Sequence, residues 1–191
     1  PQTHGGPATR VKRVETHISH IFLVGDRAYK LKRAVRFPYL DFNTPDLRRA
    51  ACMAEVTVNR RTAPRLYKGV VAVRRADDGS LRLGGEGEAV DWLVEMERFD
   101  QDALFNRLAQ RGALDRHVME DLAEVIARFH QTAEVTLESG GHLGMVAIID
   151  SNAQCFADFG TSVLDVSKIE HLNAATRGVL DDLDALLETR R

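Results

Sequence analysis

Two lysines and one glutamate carry the most chemistry in this chain. Lys30 and Lys32 stand two residues apart in the β-prone segment Ala28-Tyr29-Lys30-Leu31-Lys32, so strand alternation puts both ammonium groups on one face, together with Ala28. Glu55 follows in a segment with helical spacing. An ammonium on a strand, kept charged and aimed by a carboxylate on a neighbouring helix, is an arrangement that can grip the phosphates of a nucleotide. A further apolar strand then closes on Glu95-Met96-Glu97. Spacing alone does not separate Lys30 from Lys32, and the plain alternative makes both of them surface lysines of an edge strand. The plain alternative for Glu55 is a solvated helix glutamate, but its helix face is shared with Cys52 and Asn59 rather than with a run of charges.

The elements that must position these residues follow from periodicity. Residues 17–24 alternate, with Ile18, His20, Phe22 and Val24 on one face and Ser19, Ile21 and Leu23 on the other. Gly25-Asp26 supplies the glycine-first turn of a tight hairpin into the strand at 28–32. Asn43 and Thr44 before Pro45 mark a helix start, and Leu47, Ala51, Ala54 and Val58 recur at helical spacing until Pro64 ends the pattern near Thr62. Strands at 70–74 and 80–83 join through Asp77-Asp78-Gly79, and a glycine-rich turn at 84–87 precedes the strand at 90–96. That turn has no helix behind it, so it reads as a hairpin and not as a phosphate loop. From Asp100 onward the period is helical: Ala103, Leu104 and Leu108, then Val118, Leu122, Val125, Ile126 and Phe129. Gly140, Gly141 and Gly144 predict a loop with a short ordered piece over 134–150, and two helices follow at 151–160 and 166–189. Residues 1–9, with Gly5, Gly6 and Pro7, read as a mobile lead-in.

The expected fold is therefore α+β: a five-stranded antiparallel lobe with one inserted helix over residues 1–98, then a helical lobe over 99–191. At 191 residues and 44% hydrophobic, the chain can bury a real core in this arrangement. No apolar run reaches membrane-spanning length and no signal segment is visible, so a cytoplasmic location is expected. Cys52 and Cys155 lack C-x-x-C spacing and read as small buried apolar residues. The net charge of −2 conceals an asymmetry: residues 1–75 hold 16 Lys/Arg against 5 Asp/Glu, whereas residues 76–191 hold 10 against 23. A basic front half can attract a polyphosphate or a nucleic acid, but its cations are spread over several elements and not interleaved with aromatics, which makes nucleic acid the weaker expectation. His17 and His20 sit three apart on a strand and face opposite ways, so with Glu15 they do not form a metal site.

The motifs Glu15-Thr16-His17-Ile18-Ser19, Ala28 to Arg33, Phe37-Pro38-Tyr39-Leu40-Asp41-Phe42, Asn59 to Tyr67 and Phe129-His130 together resemble a bacterial aminoglycoside phosphotransferase-like family of the protein-kinase-like superfamily. The resemblance implies an ATP-dependent transfer of a phosphoryl group to a hydroxyl of a small molecule, with magnesium. It implies Lys30 as the nucleotide lysine, Glu55 as its orienting carboxylate, Ala28 as a lining of the adenine pocket, and Glu95 and Met96 as the connector whose backbone meets adenine. Between the first two strands there is no G-x-G-x-x-G, only Thr16-His17-Ile18-Ser19, so a phosphate cradle needs hydroxyls and backbone N–H groups, and Ser19 is the candidate. Longer members of the family carry a downstream P-loop domain, for which this sequence has no Walker motif.

Asp158-Phe159-Gly160 matches the magnesium signature of protein kinases, yet no His-x-Asp loop precedes it, since His142 is followed by Leu143-Gly144-Met145. Its flanks read as helix. The resemblance therefore places the catalytic base and metal aspartate after Arg191, with no catalytic or metal residue expected in this chain. A start at Pro1 rather than Met suggests a processed, trimmed or partial chain, and without the base and metal ligands this chain is expected to be inactive alone. The competing expectation is a non-catalytic interaction module that uses the same lobe as a rigid platform.

Overall fold

The computed structural model describes residues 11–135 and 140–190; the lead-in expected at 1–9 lies outside them. The protein is a mixed α/β chain with an antiparallel six-stranded sheet and several helices. Two compact units are present among the described residues. One holds the chain up to Arg36 together with Asp41–Thr132, and the other holds Phe37–Leu40 together with the residues from Ala133 onward.

The first unit is built on strands β1 (Lys12–Glu15), β2 (Ser19–Val24), β3 (Arg27–Lys32), β6 (Tyr67–Arg75), β7 (Leu81–Leu83) and β8 (Glu88–Glu97). Their order across the sheet is β1-β2-β3-β8-β6-β7, so β3 and β8 lie in the middle. Gly25 and Asp26 form the β2–β3 turn, and Gly25 takes φ 57°, the left-handed conformation that a glycine-first turn needs. The register pairs Ser19 with Lys32, Ile21 with Lys30 and Leu23 with Ala28, which puts the expected faces of both strands together. A short second sheet pairs β4 (Arg36–Phe37) with β5 (Leu40–Asp41).

The count of six corrects the expected five. Strand β1 reads Lys-Arg-Val-Glu, every residue of it is exposed, and it offers no apolar alternation. It is held by backbone pairing along β2, a bond type to which side-chain periodicity is blind.

Helix α1 (Pro45–Asn59) starts where expected, with the Thr44 hydroxyl accepting from the Leu47 N–H and Pro45 in the first turn. Its inward face differs from the apolar stripe. Leu47 and Val58 are exposed, and the helix instead buries Arg48, Cys52 and Val56. Polar partners decide this orientation. Arg48 makes a bidentate pair with Asp91 of β8 at 2.8 and 3.0 Å and donates to the Phe42 carbonyl at 2.8 Å. Cys52, Val56 and Val94 form the buried centre, with Tyr67, Val70, Trp92 and Met96 packed against it. Helices α2 (Phe105–Gln110) and α3 (Arg116–Thr132) complete this unit, with Arg61 stacked 4.8 Å from the Phe129 ring.

The second unit packs α4 (Gly141–Cys155) against α5 (Val166–Asp182) and α6 (Asp184–Thr189) around Ile149, Ile169 and Leu180. The loop expected over 134–150 is thus mostly helix. Gly140 takes φ 89° at the N-cap, so the glycines mark a helix entry, and Leu143 to Ile149 continue it. The single helix expected over 166–189 is interrupted at Leu183, which separates α5 from α6.

Candidate functional site

Strand β3 and helix α1 bring the three residues of the opening pattern into contact. Lys30 Nζ lies 2.9 Å from Glu55 Oε1, and Lys32 Nζ lies 2.7 Å from Glu55 Oε2. One carboxylate therefore serves two ammonium groups, an oxygen to each. The local reasons are plain in the register. Lys30 and Lys32 share the face of β3 that looks toward α1, and Glu55 lies one residue before Val56 and three after Cys52 on the buried side of the helix. Asn59 closes the turn by donating to the Glu55 carbonyl at 2.9 Å.

Burial grades the three side chains. Lys32 is 6% exposed, Glu55 13% and Lys30 26%. Burial pushes the Glu55 carboxyl up, but the hydrogen bonds from Lys32 and Lys30 and their positive charges outweigh it, so its pKa falls below the usual glutamate value. Lys32 also sits 5.1 Å from the centroid of the Phe42 ring, a cation–π contact. Neighbouring Cys52 is wholly buried, and loss of solvation drives its thiol up to about 11 despite the opposing pull of Lys32.

The remaining expected site residues fall around this cluster in different ways. Ala28 is buried on the same face of β3 and pairs with Met96 across to β8. Ser19 is also on that face, opposite Lys32, with its side chain wholly enclosed and its hydroxyl without a partner among the described residues. The Thr16 hydroxyl instead caps the backbone there, accepting from the Ser19 N–H at 2.9 Å. Met96 packs on the Cys52–Val56–Val94 core. Glu95 pairs with Tyr29 of β3, accepts from its hydroxyl at 3.4 Å and lies 3.9 Å from Arg27. Both Glu95 and Met96 lie within the sheet, flanked by β3 on one side and β6 on the other.

Three other motifs take structural places. His20 pairs across the sheet with Glu15 and lies 3.2 Å from Arg13 Nη2. Gly84 to Gly87 link β7 to β8 as a turn. Asp158-Phe159-Gly160 forms the end of a π-helical turn continuing α4, where Asp158 accepts from Gln154 at 2.8 Å and Gly160 admits the Phe156 and Ile169 side chains closely. Among the described residues, no three His, Cys, Asp or Glu side chains gather to hold a metal ion. No helix among them is long and apolar enough to cross a membrane.

Phe42 and Arg48 are the participants that sequence reasoning missed. A signal for Arg48 was present: an arginine four residues before Cys52 and seven before Glu55 lies on their helix face, not on the solvent face. Phe42 stood in the sequence only as the last residue of the Phe37-Pro38-Tyr39-Leu40-Asp41-Phe42 motif, with no signal that its ring would meet Lys32.

No family model matches the chain, and no solved structure matches it. It is similar to an uncharacterized protein of Mycobacterium tuberculosis and to one of Mycobacterium bovis, each 34% identical over 135 residues, covering 70% of this chain and 25% of the relative. The chain thus spans about a quarter of the length of the curated relatives it matches.

Proposed function

We propose that the sheet and α1 form the nucleotide-binding part of a phosphotransferase of the aminoglycoside phosphotransferase-like kind, which takes ATP and serves transfer to a hydroxyl of a small molecule. One observation carries the reading: Lys30 on a central strand is paired at 2.9 Å with Glu55 on the helix behind it. Two ammonium groups and one carboxylate leave an excess positive charge on a half-buried face, which suits an incoming polyphosphate. The reading assigns nucleotide contact to this chain and no chemical step. A kinase-like lobe used only as an interaction platform is the competing reading.

Calorimetric titration of the whole chain with magnesium-ATP, alongside Lys30→Ala, tests the proposal. Saturable binding in the native chain and its loss in the variant are expected. Undetectable binding with a silent Lys30→Ala would favour the platform. Binding of oligonucleotides instead, with a steep fall in added salt, would favour a nucleic-acid binder.

A further inference from the structure

Glu55 gives one oxygen to each lysine, but the two lysines are not equivalent. Lys32 is enclosed, with the Phe42 ring 5.1 Å from its ammonium and only 6% of its side chain exposed. Lys30 keeps 26% exposure. An ammonium that water can reach can exchange a carboxylate for another anion, whereas an enclosed one loses its solvation with no replacement if its partner leaves. We propose that Lys32 is a positioning residue, the permanent counter-ion of Glu55, which frees Lys30 to turn its charge toward a polyphosphate on the same face. This rests on the nucleotide reading above and deepens it by assigning the ligand-facing lysine and the purpose of the second one.

With Lys32 in place, Glu55 keeps a partner at 2.7 Å when Lys30 swings away. Without Lys32, an arriving anion would strip a largely buried carboxylate of its last counter-ion, so Lys30 would stay pinned and the cluster would carry no net charge. Ser19, opposite Lys32 in the register, adds a neutral hydroxyl and no competing charge.

The test uses the whole chain with magnesium-ATP and inorganic tripolyphosphate as probes, in Lys30→Met, Lys32→Met, Glu55→Gln and the Lys32→Met/Glu55→Gln pair. Lys30→Met and Lys32→Met are each expected to weaken binding on the order of tenfold or more, the size of a lost charge-assisted contact. Adding Glu55→Gln to Lys32→Met releases Lys30 and should return affinity to near the native value. A readout free of nucleotide accompanies it, nitrogen-15 NMR of the lysine ammonium groups. The Lys32 signal should be protected from water exchange in the native chain and that of Lys30 should not, and Lys32→Met should render Lys30 protected. Failure of Glu55→Gln to restore binding, native-like binding by Lys30→Met, or a protected Lys30 with an exchanging Lys32 would each overturn the proposal. If neither probe binds the native chain, the nucleotide reading fails, and the ammonium signals still decide which lysine Glu55 holds.

Discussion

Replacing Glu55 with alanine should destabilise the sheet unit by about 3 kcal/mol, a figure that follows from unequal burial of its partners. Lys32, 6% exposed and 2.7 Å from Oε2, would be left as an enclosed charge, for which removal of one partner costs roughly 3–5 kcal/mol. Its contact with the Phe42 ring, kept in the variant, leaves the charge one partner and holds the loss to the lower end of that range. Lys30 can be hydrated in place, so its half of the pair adds only about 0.5 kcal/mol. Trp92 is the only tryptophan and packs against the core behind Glu55, so urea unfolding followed by its fluorescence reports this unit directly. The pH dependence has a fixed sign. The folded pKa of Glu55 lies below its usual value of 4.5, so its contribution is complete above 4.5 and disappears as pH falls through the lower folded value. The native and Glu55→Ala curves should therefore be furthest apart at neutral pH and converge in acid. A neutral-pH loss below about 1 kcal/mol, or a gap that widens in acid, would refute the buried-pair reasoning.

Three further outcomes are expected. Arg48→Leu should cost about 2–3 kcal/mol by leaving the Phe42 carbonyl without its Arg48 donor and Asp91 with only the Trp92 N–H, and an Asp91→Asn double-mutant cycle in urea should show strong non-additivity. Gly87→Ala should destabilise the β6–β8 pairing by more than about 1 kcal/mol, read as faster amide exchange there, because φ is 110° and an added Cβ would lie 2.3 Å from the Arg75 carbonyl oxygen. Iodoacetamide at neutral pH should modify half-buried Cys155 before Cys52, whose thiol is wholly buried with a pKa of about 11; mass spectrometry in rising urea should show Cys52 labelled only with unfolding.

What could be read from the sequence was whatever local chemistry determines. The Gly25-Asp26 hairpin, the Thr44 cap and the shared face of Lys30 and Lys32 are consequences of turn geometry and alternation. What could not be read depends on partners distant in the chain. The apolar stripe of α1 pointed outward because Arg48 and Glu55 had counter-charges waiting on β8 and β3, and sequence spacing carries no record of them. Strand β1 was hidden because its charged side chains all face solvent while its backbone does the pairing. The glycines at 140, 141 and 144 pointed to a loop because glycine punctuates both loops and helix entries, and only the packing of Ile149 on its neighbours separates the two. The contact of Glu55 with both lysines, not with one chosen between them, is likewise a fact of side-chain reach that periodicity does not encode.

On the proposed reading, the β3 face carrying Lys30 receives a nucleotide. Titration of magnesium-ATP into the nitrogen-15-labelled chain tests it most directly. Saturable shifts concentrated at Ala28 to Lys32 and Glu55, lost in Lys30→Ala, are expected. Shifts scattered over exposed basic residues and erased by moderate salt, or none at millimolar nucleotide, would contradict it.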